Sequence, residues 1–186
     1  MRVLALLLCL ALQVGTAAVD EAASLSAARK LQQIADKSLP SGTAVEFSED
    51  ELNAFLKVHG ALALPAGVEN VEVSLRQGGA VLGAQIDLEV AGKALENLPV
   101  LMRLLLKGTR SILIDSDLAI EDGRGSLNVV SVLVEGVEIP ESVVGWLIEA
   151  YAPPEFRPYL TGEEAEVQTG LRGLRLEPSR AVAIVE

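Results

Sequence analysis

Residues 112–134 carry the sequence ILIDSDLAIEDGRGSLNVVSVLV, and this stretch decides the fold class. Its first half alternates apolar with acidic residues, which is the period of a half-buried strand. The apolar residues are Ile112, Ile114, Leu118 and Ile120, and the acidic ones are Asp115, Asp117 and Glu121. Residues 121–125 supply a glycine-rich turn, and residues 126–134 return as a strand that is apolar on both faces. The stretch therefore predicts an antiparallel hairpin.

Two further hairpins are predicted on either side of it. Residues 71–76 alternate in the same way, reach Gly78-Gly79, and are followed by a second alternating run over residues 84–90. Near the end of the chain, residues 171–176 and 181–185 flank a turn at Pro178-Ser179. A shorter strand is expected over residues 43–47.

Single helices are predicted between these strands. Apolar residues recur at helical spacing over residues 21–37, and Ser48 and Glu51 form an S-x-x-E capping box that begins a second helix, expected to stop at Gly60. Residues 98–107 and 141–151 predict two more. The fold class is therefore α+β, with a curved antiparallel meander sheet of hairpins wrapped around or packed on amphipathic helices.

The first 18 residues have the pattern of a secretory signal peptide. Arg2 precedes an apolar run over residues 3–12, and the small residues 15–18 predict cleavage after Ala17 or Ala18. Residues 19–186 then form a single α+β domain. Since cleavage removes Cys9, the sole cysteine, the exported chain has no disulfide, which favours the periplasm over the cell exterior.

The composition limits the choice of partner. The chain has 26 acidic and 15 basic residues, a net charge of −11, which argues against a nucleic-acid partner because phosphate binding needs clustered cations. Half of the residues are hydrophobic but only 3% are aromatic. Such aliphatic surfaces suit an aliphatic ligand, although an ordinary aliphatic core has the same composition.

Few residues offer catalytic chemistry. His59, the only histidine, is interpreted as capping a helix C-terminus, and Asp115 and Asp117 are expected to share a solvent-facing strand surface. A hydrolase would need carboxylates such as Asp115 and Glu121 to converge in a pocket. We therefore expect a protein that is not an enzyme and that has no catalytic residues, metal site or cofactor.

The predicted helix near residues 98–110 gathers basic charge beside leucines. On a helical wheel its apolar residues form a broad arc, and Arg103, Lys107 and Arg110 line up opposite at i, i+4 and i+7. This arrangement fits an interfacial helix whose cations lie near lipid headgroups. It also fits an amphipathic helix docked on a sheet with a solvated basic face, which is the more ordinary arrangement.

Two other segments are apolar on more than one side. The helix over residues 141–151 has apolar residues around most of its surface, and Val130, Val132 and Val134 give the return strand a second apolar face. Either helices cover both faces of the sheet, or part of one face lines an apolar cavity.

Three segments together resemble a known family. Residues 47–56 (FSEDELNAFL), the run 134–140 (VEGVEIP) before an apolar helix, and the closing hairpin that begins Gly170-Leu171 look like the bacterial exported branch of the tubular lipid-binding (TULIP, SMP-like) proteins. The likeness covers about residues 43–185. It implies a strongly curved antiparallel sheet around a long helix, a groove for acyl chains, and no cofactor.

We therefore expect exported, non-enzymatic binding of an acyl-chain lipid or similar apolar ligand in a groove between sheet and helices. Transient contact with a membrane surface is also expected. Arg103 and Lys107 are the predicted headgroup contacts. The predicted lipid contacts are Leu101, Met102, Leu105, Val143, Trp146 and Leu147. The alternative is a structural or protein-interaction module of the cell envelope without a ligand.

Overall fold

A computed structural model describes residues 20–63, 66–87, 108–151, 160, 162–166 and 170–186, with the backbone alone for residues 60–63, 146, 147, 150 and 151. The predicted signal peptide and the predicted helix over residues 98–107 lie outside these ranges. The described residues form three helices and nine strands.

Helix α1 comprises the described residues 20–35, α2 comprises Glu49–Ala63, and α3 comprises Glu141–Tyr151. The strands are β1 (Ala44–Ser48), β2 (Val68–Arg76), β3 (Gly79–Asp87), β4 (Thr109–Glu121), β5 (Arg124–Val134), β6 (Val137–Glu138), β7 (Ala165–Glu166), β8 (Leu171–Glu177) and β9 (Arg180–Val185).

The strands form one antiparallel sheet, which confirms the predicted α+β fold built on hairpins. The path through the sheet is β1-β9-β8-β4-β3-β2, and β5 pairs with the other edge of β4. The three predicted hairpins are β2–β3, β4–β5 and β8–β9. They are joined by pairings between distant parts of the chain, β1 with β9 and β4 with β8.

Two hairpins pair with the same edge of strand β4. It pairs with β3 along Thr109–Asp117, and β8 joins the same edge further on, where Ile120 lies opposite Leu174. The β2–β3 turn links them, because the Gly78 amide donates to the Leu176 carbonyl at 3.0 Å and the Leu118 amide donates to the Gly78 carbonyl at 3.1 Å. The two hairpins therefore follow one another along β4.

A buried cluster lies where α1 and α2 meet the sheet. We call the sheet face that carries it the inner face; it bears Leu75 of β2, Leu118 of β4 and Leu174 of β8. The buried residues of the cluster are Ala27, Ile34, Val45, Phe47, Leu75, Leu176, Ala181, Ala183 and Val185. Burial of this apolar surface is the main favourable contribution to folding.

Side chains of α2 satisfy the backbone of β2, the strand at one end of the sheet path. The amide of Asn53 donates to the Val73 carbonyl at 2.8 Å and its oxygen accepts from the Val73 amide at 2.7 Å. A carboxylate oxygen of Glu49 accepts from the Leu75 amide at 2.6 Å. These contacts cover backbone groups that would otherwise be free to pair with another chain.

The start of α2 is as predicted, and its end is not. The Ser48 hydroxyl accepts from the Glu51 amide at 3.1 Å while the Glu51 carboxylate accepts from the Ser48 amide at 2.9 Å, which is a capping box. The predicted stop at Gly60 is wrong, since α2 continues to Ala63. A helical glycine costs only about 1 kcal/mol relative to alanine, and good helix formers follow it. His59 therefore lies before the helix end, with its ring 4.8 Å from that of Phe55 between centroids.

The Glu51 carboxylate joins α1 to α2 and predicts a pH dependence of stability. It accepts hydrogen bonds from Lys30 Nζ at 2.6 and 2.7 Å and from the Ser26 hydroxyl at 2.6 Å. Burial raises the pKa of Glu51, but these bonds, the bond from the Ser48 amide and the charge of Lys30 lower it by more, so that the pKa lies below its ordinary value. The stabilisation is therefore present above the unfolded-state pKa and is lost as the pH falls through the folded-state pKa.

We expect Glu51→Gln to lower the free energy of unfolding by roughly 1.5–3 kcal/mol at neutral pH, the range for hydrogen bonds to a charged group. Urea denaturation should show this difference shrinking below about pH 4, where the unfolded carboxyl is protonated. Glu163→Gln is the matched control, because Glu163 is exposed and this substitution removes the same charge. A loss for Glu51→Gln that is equal at neutral and acidic pH would contradict the assignment.

Candidate functional site

The inner face continues beyond the buried cluster along β3, β4 and β5. Leu82 lies opposite Ile114, which lies opposite Val132; the next row is Ala84, Ile112 and Val134. Ile86 of β3 follows on the same face. We call these seven residues, Leu82, Ala84, Ile86, Ile112, Ile114, Val132 and Val134, the distal face. Their side chains point to one side of the sheet because side chains alternate along a strand.

Burial distinguishes the distal face from the rest of the inner face. Within the buried cluster, inner-face side chains are almost fully covered: the exposed fraction is 8% at Leu75 and 4% at Leu176, and the partly buried Leu118 and Leu174 pack against the cluster. All seven residues of the distal face are only half-buried. Among the described residues, the buried cluster and its neighbours extend along these strands no further than Ala80 and Leu118. The sheet thus carries more apolar surface than the described buried cluster covers.

A bulge explains why β5 is apolar on two faces in the sequence. Asp115 pairs with Ser131 and Ser116 pairs with Val129, so Val130 is an extra residue between the two pairs. Val129, Val132 and Val134 share the inner face, whereas Val130 is 52% exposed. The predicted row of Val130, Val132 and Val134 is therefore interrupted, and two of its members belong to the distal face.

Arg110 lies at the end of the distal face. It is the second residue of β4, opposite Ile86 of β3 and two residues before Ile112. The predicted helical row of Arg103, Lys107 and Arg110 is thus wrong for Arg110, because Gly108 has a positive φ of 70° and β4 begins immediately after it. A glycine in this conformation commonly marks a helix end, and residues beyond it follow a new direction.

The opposite face of the sheet carries an ion-paired cluster. A single oxygen of Asp115 accepts from Arg76 Nη2 at 2.6 Å, and an oxygen of Asp117 accepts from the same nitrogen at 2.7 Å. The hydrogen bonds that Arg76 donates, first to Asp115 and then to Asp117, raise the pKa of Arg76. Asp115 and Asp117 share a face as predicted, and Arg76 links them. Glu121 lies six residues along β4 from Asp115, about 20 Å away, so this pair does not converge as a hydrolase would require.

The structure describes only part of the predicted lipid site. Val143 is half-buried on α3, and Trp146 and Leu147 lie on the same helix, where only their backbone is described. Leu101, Met102, Arg103, Leu105 and Lys107 lie outside the described residues. The distal face was not among the predicted contacts, although the apolar return strand pointed to two of its members.

Two pockets lined by described residues lie away from the distal face. One, of about 850 Å³, lies between α1, α2 and β2, where Asp20, Asp50, Glu69, Glu72 and Lys57 give it a charged lining. The other, of about 530 Å³, includes Asp122, Arg172 and Arg175 in its lining. Apolar side chains such as Leu56 and Ile120 also line these pockets, but the charged groups make them less suited to an acyl chain than a wholly aliphatic surface. The distal face is therefore the better candidate for apolar binding.

No group of three or more His, Cys, Asp or Glu side chains among the described residues is placed to hold a metal ion. None of the described helices combines the length and apolar character needed to cross a bilayer.

Comparison with protein families, curated proteins and solved structures gives no significant match for this chain.

Proposed function

We propose that this chain is an exported, non-enzymatic protein of the periplasm that binds an acyl-chain lipid or similar apolar ligand against the distal face. One observation carries the proposal: seven aliphatic side chains are aligned on one face of β3–β5 and remain half-buried, beyond the point on these strands where side chains still pack against the buried cluster. The resemblance of residues 47–56 and 134–140 to tubular lipid-binding proteins supports the same function.

The chemistry of the distal face suits a hydrocarbon chain. Covering apolar surface contributes on the order of 25 cal/mol per Å², and this contribution depends on contact area rather than on direction. The seven side chains carry no hydrogen-bonding groups, so they select for the shape of a chain and not for a polar substituent. In this proposal Leu101, Met102, Leu105, Val143, Trp146 and Leu147 complete the groove, and Arg103 and Lys107 contact the headgroup.

A second candidate is an interaction module of the cell envelope. Leu113 is 42% exposed on the face of β4 opposite the distal face, and Val137 of β6 is 65% exposed. Together with the exposed Val130, these side chains offer apolar surface to a partner protein. This candidate predicts that substitutions on this second surface, and not on the distal face, impair function.

The binding test uses cis-parinaric acid, a fatty acid whose fluorescence rises when it enters an apolar site. The purified chain should give a saturable fluorescence increase, and Ile114→Asn should weaken binding by about tenfold, equivalent to about 1.4 kcal/mol of lost apolar contact. Leu113→Asn is the matched control, since Leu113 is the neighbouring residue and faces the other side of the sheet. Its affinity should stay within twofold of the unmodified chain.

Ile112→Trp provides a second variant that adds volume to the distal face without adding polarity. It should reduce binding while leaving the far-UV circular dichroism spectrum unchanged. Absence of saturable binding by the unmodified chain would overturn the proposed function. Equal losses in Ile114→Asn and Leu113→Asn would show that the ligand does not lie on the distal face.

A further inference from the structure

Arg110 is the one charged residue among the described inner-face positions of β3, β4 and β5. Its strand neighbour Ile86 and the next inner-face residue, Ile112, are aliphatic. A guanidinium is charged at every physiological pH and cannot become neutral to suit apolar surroundings. Its position beside the distal face therefore favours a negatively charged partner.

Arg110 has a hydrogen-bond donor that is free to bind such a partner. Its Nε atom is buried and has no hydrogen-bond partner. The nearest acidic residue of the β5–β6 connection, Glu135, uses an oxygen to accept from the Ser111 amide at 2.7 Å. Buried donors without acceptors are rare in folded proteins, since each costs stability. An acceptor supplied by a ligand removes that cost.

We propose that Arg110 binds the carboxylate of a long-chain fatty acid whose hydrocarbon chain lies along the distal face. This inference rests on the proposed function and adds the ligand's acid group. The distal face extends about 13 Å along β4 from Arg110 to Ile114, four residues at strand spacing, so it contacts the carboxyl-side part of an extended long-chain acid. The carboxylate then lies at one end of the distal face and the chain tail points towards the buried cluster.

The charge of the site favours a carboxylate over a phosphate monoester. A guanidinium pairs with one carboxylate through two parallel hydrogen bonds, which balances its single positive charge. The net charge of −11 further disfavours a dianion.

The test compares cis-parinaric acid with its uncharged methyl ester at neutral pH, using the full exported chain. The unmodified chain should bind the acid more tightly than the ester. Arg110→Gln should weaken acid binding by roughly 10- to 100-fold, the range for loss of a charge-assisted pair, and leave ester binding within about twofold. Arg175→Gln is the matched control for net charge, because Arg175 is exposed on β8. It should leave both affinities unchanged.

The ligand-free stability gives a second readout. Arg110→Leu removes the unpartnered donor, so its melting temperature without ligand should rise by about 2–4 °C for a chain of this size. A fall in melting temperature would assign Arg110 a structural role and overturn the proposal.

The outcomes separate this inference from the function on which it rests. Equal affinity of the unmodified chain for acid and ester, with Arg110→Gln unchanged for both, would overturn the role of Arg110 and leave acyl-chain binding intact. Failure of the unmodified chain to bind either probe would overturn acyl-chain binding itself. Stronger competition by dodecyl phosphate than by dodecanoate would overturn the choice of a carboxylate.

Discussion

Gly79→Ala is expected to destabilise the fold by roughly 3 kcal/mol, at the upper end of the usual range for an overpacked site. A Cβ atom at this position would overlap the backbone carbonyl oxygen of Ser116 and lie 2.7 Å from Cζ of Arg76. Arg76 can move, although it would leave Asp115 and Asp117. The Ser116 oxygen belongs to β4, which is held between β3 and β5, so it cannot give way without disturbing both ladders.

Gly145→Ala is the matched control for this prediction. Gly145 lies in α3, and nothing within 4 Å would meet an added Cβ atom. Alanine in a helix interior is favoured over glycine by about 0.5–1 kcal/mol, so this variant should be slightly more stable than the unmodified chain. Urea denaturation measures both variants. Equal stability of Gly79→Ala and the unmodified chain would mean that β3 and β4 do not approach as described.

Phe47→Ala is expected to cost about 3–5 kcal/mol, because truncating a buried phenylalanine removes apolar burial and leaves a cavity. Phe47 is 4% exposed and belongs to the cluster that joins β1 to α1. The Nζ atom of Lys30 lies 5.4 Å from the centroid of its ring, which adds a cation–π contact. Since domains are stable by only about 5–15 kcal/mol, this loss is a large part of the total.

Val137→Ala is the control for Phe47→Ala. Val137 is 65% exposed on β6, so its truncation should change the free energy of unfolding by less than about 0.5 kcal/mol. Thermal or urea unfolding of the two variants tests where the core lies. Similar losses at Phe47 and Val137 would contradict a core centred on α1, β1 and β9.

Local sequence signals account for the hairpins and helix starts. Alternation on either side of a turn predicted β4–β5, and the Ser48–Glu51 capping box predicted the start of α2. The pairing of β1 with β9 and of β4 with β8 joins residues far apart in the chain. Closing such long loops leaves no local signature in either strand, so these pairings could not be predicted from spacing.

The placement of Arg110 shows why the candidate site was only partly predicted. Its spacing from Arg103 and Lys107 fits a helix, while its spacing from Ile112 and Ile114 fits a strand equally well. The positive φ of Gly108 decides between them, and the sequence does not specify it. The distal face likewise depends on a register across three strands, and a bulge at Val130 resets that register within β5.

If the distal face holds an acyl chain, the purified protein carries the lipid with it, and the most direct test is to look for that lipid. The chain is purified from its native host or from a bacterial periplasm and extracted with organic solvent, and the extract is analysed by mass spectrometry. We predict about one acyl-chain lipid per protein molecule, and a marked depletion of that lipid when Ile112→Trp is purified in parallel. An extract without lipid from the unmodified chain, together with no binding of added cis-parinaric acid, would contradict the account.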